Sequence, residues 1–150
     1  MKLTSLLHEN LIKLKLDGST KQEILNELIG MLDQNGLLND KQAFKKAVDE
    51  REAQGSTGVG FGIAIPHGKT DAVKETAVVF GKKTAGVDWD SLDGEDATLF
   101  FMIAVPEKNA GDEHLKILQL LSRKLIDNEF RESLLRAPSK DDVMKLLDTI

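Results

Sequence analysis

Seven consecutive apolar residues, Leu99-Phe100-Phe101-Met102-Ile103-Ala104-Val105, constrain this chain's fold more than any other feature. The run has no polar alternation, so both faces of the element it forms must be dry. Its length and its Phe, Ile and Val content predict a central β-strand over Thr98–Val105. Two shorter apolar runs, Ile63–Ile65 and Ala77–Phe80, are bounded by turn residues and read as further strands. Helical periodicity lies on either side of this block. From Ser19 to Asn35 the apolar positions Ile24, Leu25, Leu28, Ile29, Met31 and Leu32 follow the 3.6-residue period, with Ser19 and Gln22 as a capping box and Gly36 as the stop. A second helix is expected from Asp40 to about Ala53, with Phe44, Ala47 and Val48 inward and Gly55 ending it. Later helices are expected over Glu113–Asp127, Glu129–Arg136 and Lys140–Leu147, the last capped by Ser139. Helices before and after a block of strands imply an α/β fold, a sheet covered by helices, in one domain spanning 1–150. The order of strands does not follow from this.

Composition removes several function classes. The chain has no cysteine, which excludes disulfides, zinc–thiolate sites and cysteine nucleophiles. A net charge of −5 without clustered Lys and Arg argues against nucleic-acid binding. No apolar run approaches a membrane span and the start, Met1-Lys2-Leu3-Thr4-Ser5, lacks a secretory pattern, so a cytoplasmic location without membrane insertion is expected.

The chemistry-bearing stretch is Gly58-Val59-Gly60-Phe61-Gly62-Ile63-Ala64-Ile65-Pro66-His67-Gly68-Lys69. A glycine-rich loop leads into a short strand, and His67 stands at the strand's exit among small residues. Such an imidazole can be a nucleophile, a general base or a metal ligand. His114 falls in the first turn of a predicted helix, in line with Leu118, Leu121 and Leu125, so it points toward the sheet. Helix starts favour anions, and two histidines at one core edge suggest phosphoryl chemistry. A half-buried structural histidine fits His114 equally well at this point. Arg51 shares the inward stripe of Phe44, Ala47 and Val48 and needs an anion, a carbonyl cluster or a path to water. His8, in a polar stretch, is expected at the surface.

Other motifs fail on spacing. Gly68-Lys69-Thr70 mimics the end of a P-loop, but Ile63 stands where its first glycine belongs. The acidic group Asp88, Asp90, Asp93, Glu95 and Asp96 places Leu92 and Leu99 at required calcium-ligand positions and reads as a turn anchored by Trp89. Gly58, Gly60 and Gly62 precede a strand, the reverse of a dinucleotide fingerprint. No Gly-x-Ser-x-Gly elbow surrounds Ser56 or Ser122, and two distant histidines are a weak metal signal. No cofactor or metal is expected.

The string Arg51-Glu52-Ala53-Gln54-Gly55-Ser56-Thr57-Gly58-Val59-Gly60, continued by Ile63-Ala64-Ile65-Pro66-His67-Gly68-Lys69, closely resembles the enzyme IIA domain of the fructose/mannitol class of the bacterial phosphoenolpyruvate-dependent sugar phosphotransferase system. Gly86-Val87-Asp88-Trp89, Ala104-Val105-Pro106-Glu107 and Asp112-Glu113-His114-Leu115-Lys116-Ile117-Leu118 extend the likeness over nearly the whole chain. The resemblance implies a mixed β-sheet flanked by helices on both faces. It also implies that His67 takes a phosphoryl group from the histidine-containing phosphocarrier protein. The group then passes to a cysteine of a IIB component linked to a membrane IIC component. His114 matches the family's second active-site histidine, and Arg51 an arginine that supports the phosphoryl group. Thr57, Gly58 and Gly60 fall in the matching loop, where the Thr57 hydroxyl is expected to hydrogen-bond phosphate. Two roles stay open within the class: sugar uptake, with fructose favoured by Ala53-Gln54-Gly55 and Gly86-Val87-Asp88-Trp89, and a regulatory nitrogen-branch role exerted through bound partners. A regulatory piece of a transcription activator is disfavoured by a chain running from Met1 to Ile150.

Overall fold

The long apolar run forms the centre of a six-stranded sheet. The computed structural model describes residues 2–150, and for 109–112 the backbone alone. The strands are β1 (Ile12–Lys13), β2 (Gly58–Gly60), β3 (Ile63–Ala64), β4 (His67–Lys69), β5 (Ala77–Val87) and β6 (Ala97–Val105). They are joined by helices α1 (Lys21–Gln34), α2 (Lys41–Ala53), α3 (Ala110–Leu125), α4 (Asn128–Arg136) and α5 (Lys140–Leu147). The order β1-β5-β6-β3-β2 is mixed: β1 is parallel to β5, β5 antiparallel to β6, β3 parallel to β6 and β2 antiparallel to β3. β4 also pairs with β6 in parallel, so β3 and β4 lie end to end along one side of the central strand.

β6 is buried on both faces, as its composition demands. Phe100, Met102 and Ala104 enter a core shared with α1 and α2, through Ile24, Leu28, Phe44 and Val48. Leu99, Phe101, Ile103 and Val105 enter the opposite core, closed by Ile117 and Leu121 of α3, Phe130 and Leu134 of α4, and Val143 and Leu147 of α5. The expected mixed sheet with helices on both faces is therefore present.

Several boundaries differ from the sequence reading. α1 is capped by Thr20 and Glu23 instead of Ser19 and Gln22. The Glu23 carboxylate accepts the backbone N–H groups of both Ser19 and Thr20, and the Thr20 hydroxyl accepts that of Glu23. β5 runs seven residues beyond the expected Phe80, through Lys82 and Lys83. Lys82 is buried because its ammonium donates to the carbonyls of Leu134, Leu135 and Ala137 at the end of α4. Desolvation lowers its pKa, while the carbonyl dipoles at a helix C-terminus favour the cation. His67 opens a strand instead of closing one: the run from Ile63 breaks after Ala64 and resumes as β4.

Candidate functional site

That break positions the site. Pro66 has no N–H to give, and the Ile65 N–H leaves the sheet to bond the Thr57 carbonyl at 3.0 Å. The Pro66 carbonyl accepts the Ile103 N–H at 3.0 Å, which returns the chain to β6 with His67 opposite Ile103. Between these two anchors the Ile65 carbonyl is left for His67, whose Nδ1 lies 3.0 Å from it. A carbonyl only accepts, so the hydrogen sits on Nδ1 and the lone pair on Nε2.

Gly68 then fits against α2. A side-chain carbon there would lie 2.8 Å from Phe44 Cε1 and 3.1 Å from Val48 Cγ2. Only glycine lets β4 lie this close to α2, and the same helical stripe carries Arg51 one turn later. Of the three escapes open to an inward arginine, Arg51 uses two: it is half-exposed and its Nη1 donates to the Gly55 carbonyl at 2.8 Å. His114 arrives from the other face, near the start of α3, which begins five residues after β6 ends. The His67 and His114 ring centroids are 6.2 Å apart with planes 27° from parallel. The His114 Nδ1 is buried without a partner among the described residues, an arrangement less costly for a lone pair than for an N–H. The ring hydrogen of His114 is therefore assigned to Nε2, as a donor.

The His67 pKa is held below the ordinary histidine value. Burial of the ring is the main cause; the Arg51 charge and His114 add to it, while the bond to the Ile65 carbonyl and the Glu52 charge work the other way. A neutral ring at pH 7 keeps its nucleophilic lone pair. The His114 ring lies beside this imidazole, and the Arg51 charge is close enough to lower its pKa. Among the described residues no group of three or more His, Cys, Asp or Glu could hold a metal ion.

Thr57 requires a correction. It is 3% exposed, its hydroxyl donates to the Glu52 carboxylate, and it accepts the Trp89 indole N–H at 3.0 Å. That hydroxyl has no hydrogen left for phosphate. Gly58 and Gly60 likewise belong to β2; the Gly58 N–H bonds Ser56 Oγ, and Gly60 (φ +100°) makes room for Asp93. The loop is a structural hairpin, with Asp93 also accepting the N–H of Phe61 at its tip. Glu52 is the residue that local spacing missed: its carboxylate takes the Lys21 ammonium at 2.6 Å and the Thr57 N–H at 3.3 Å. Lys21 lies thirty-one positions away, and no local pattern could have paired them. His8 is exposed, as expected.

Comparison with known proteins decides the family. The model described as "Phosphoenolpyruvate-dependent sugar phosphotransferase system, EIIA 2" matches residues 5–150. The chain belongs to this family. As an EIIA component it is a phosphotransferase. The fructose-specific EIIABC component of Bacillus subtilis (strain 168) is 45% identical over 148 residues, 99% of this chain. The chain spans only 23% of that relative's length. A fructose-specific EIIA component from Haloferax volcanii is 43% identical over 137 residues, covering 91% of this chain and 88% of that one. Among solved structures, the nitrogen regulatory protein IIA-Ntr from Neisseria meningitidis superimposes with a TM-score of 0.88 at 33% identity, over 95% of this chain and 97% of that one. The complex of enzyme IIA mannitol with phosphorylated enzyme IIB mannitol from Escherichia coli contains a chain similar at TM-score 0.82 and 28% identity, with 97% and 100% covered. No helix among the described residues of this EIIA chain is long and apolar enough to cross a membrane.

Proposed function

We propose that this EIIA chain is the cytoplasmic phosphocarrier of a fructose-type uptake system, with His67 as the residue that is phosphorylated. The observation that carries the reading is the fixed tautomer: Nδ1–H is tied to the Ile65 carbonyl, and Nε2 holds a free lone pair. In the first step Nε2 attacks phosphorus on the phosphorylated histidine of the phosphocarrier protein. An N–P bond forms at His67 as the donor's N–P bond breaks, and that electron pair returns to the donor ring. The His114 N–H and the Arg51 guanidinium face the phosphoryl oxygens and stabilise their charge, the main demand of phosphoryl transfer. In the second step a cysteine thiolate of a IIB component, itself linked to a membrane IIC component, attacks the same phosphorus. The pair of the His67 N–P bond returns to Nε2. Fructose is favoured by the two fructose-specific relatives at 43% and 45% identity, and a IIB acceptor by the solved IIA–IIB mannitol complex.

The test is a reconstituted relay of phosphoenolpyruvate, enzyme I and the phosphocarrier protein, read by intact mass under alkaline conditions. The wild type is expected to gain one acid-labile phosphate and His67→Ala none. Phosphate on His67→Ala would overturn the assignment. The second reading, a regulatory nitrogen-branch protein, is favoured by the likeness to Neisseria IIA-Ntr. It predicts a phosphoprotein that does not discharge to any fructose IIB component, whereas the uptake reading predicts rapid discharge.

A further inference from the structure

The Glu52 carboxylate bonds neither histidine, yet its hydrogen bonds lead through Thr57 to His67. Its side chain is only 7% exposed in the last turn of α2. One oxygen accepts the Lys21 ammonium at 2.6 Å and the Thr57 N–H at 3.3 Å; the other accepts the Thr57 hydroxyl. Thr57 is thereby locked, and Trp89 closes the lock from below by donating its indole N–H to the same hydroxyl oxygen at 3.0 Å. The carbonyl of Thr57 receives the Ile65 N–H at 3.0 Å, and the carbonyl of Ile65 receives the His67 Nδ1–H at 3.0 Å.

We propose that Glu52 is a positioning residue of the phosphoryl site, its carboxylate fixing the His67 tautomer through Thr57 and Ile65. This rests on the phosphocarrier reading for its consequence in rate, but not for its structural content. A carboxylate is required because three donors converge on it, one of them a cation. An amide in its place offers a single acceptor oxygen and turns a donor toward the others. Buried networks of this kind fix one geometry only when every member is satisfied.

The experiment compares wild type, Glu52→Ala, Glu52→Gln, Thr57→Val and Thr57→Ser, each as the whole chain. Two quantities are read: the ring ¹⁵N shifts of His67 in the unphosphorylated protein, and the rate of phosphoryl transfer from the phosphocarrier protein. In the wild type the shifts should show Nδ1 protonated and Nε2 bare. Glu52→Ala and Thr57→Val should show the two tautomers mixed, with transfer slowed about ten- to a hundredfold by misplacement of the attacking atom. Thr57→Ser, which keeps the hydroxyl, should restore both readings, and Glu52→Gln should fall between. Thr57→Val is nearly isosteric and carries the test if Glu52→Ala fails to fold. Either of two results would overturn the proposal: near wild-type transfer in both Glu52→Ala and Thr57→Val, or slowed transfer with the His67 shifts unchanged. A wild type that accepts no phosphate would instead sink the phosphocarrier reading, and the ring shifts alone would then decide the role of Glu52.

Discussion

At His67 the acid–base state of one ring governs both reactivity and stability. Its folded pKa lies below 6.5, first because the ring is buried and then because Arg51 and His114 stand near it. As pH falls from neutrality, the unfolded chain therefore takes up this proton before the native protein does. By linkage, the His67 contribution to stability is complete above 6.5, is lost as pH falls from 6.5 to the lower folded value, and is constant below that. His67→Gln should flatten the pH dependence of stability in that window, measured by denaturant unfolding at a series of pH values. Reactivity follows the same sign. Arg51→Ala removes a positive neighbour, so the His67 pKa should rise toward its ordinary value in an NMR titration. At mildly acidic pH that variant should lose transfer rate twice over, through a protonated nucleophile and through an unneutralised phosphoryl group. Much of this site was legible from residue type alone: His67, His114 and Arg51 are brought together as the stripes of α2 and α3 imply. The role of Thr57 was not. A hydroxyl in a glycine-rich loop looks available until Glu52 and Trp89, distant on one side in sequence, are seen to occupy it.

Among the elements, the close contact between β4 and α2 constrains the site. Gly68 has no space for a methyl group against Phe44 and Val48. Gly68→Ala should cost about 1–3 kcal/mol of stability through overpacking, seen as a lowered denaturant midpoint. The same displacement should part Arg51 from His67, so transfer should fall further than stability alone explains. The elements also show why some were legible and others not. β6 announced itself because seven apolar residues admit one interpretation. The outer half of β5 did not, because the apolar run stops at Phe80 and charged residues follow; only the carbonyls of α4, more than fifty residues later, make a buried lysine sensible there. β1 is two residues long, below the length at which alternation has meaning. The expected strand Ile63–Ile65 stops at Ala64 and an unexpected one, β4, follows it, because the missing N–H of Pro66 ends the pairing just where the Ile65 carbonyl is needed for His67.

At the scale of the whole molecule, the central strand β6 feeds both cores, as do its neighbours β5 and β3. Phe100 faces α1 and α2, Phe101 faces the C-terminal helices, and both are fully buried. Phe100→Ala and Phe101→Ala should each cost about 3–5 kcal/mol, a large share of the roughly 5–15 kcal/mol typical of a domain. Each should lower one cooperative transition in far-UV circular dichroism during urea unfolding. Two separate transitions would show that the layers fold independently. His67 lies on β4, and Arg51 on α2 and His114 on α3 lie on opposite sides of the sheet, so no half of this chain should carry the site. Trp89 ties the two levels together in a further way. It is the only tryptophan in a chain without tyrosine. Its indole is wholly buried, with the Lys21 ammonium 5.3 Å from the ring centroid, the Phe100 ring at 5.1 Å and its N–H on Thr57. The protein's ultraviolet emission thus comes from one chromophore, set in the electric field of the Lys21–Glu52 pair. A change in that pair, or in the loop it holds, will shift the colour and lifetime of the emitted light, and the native chain is its own optical probe.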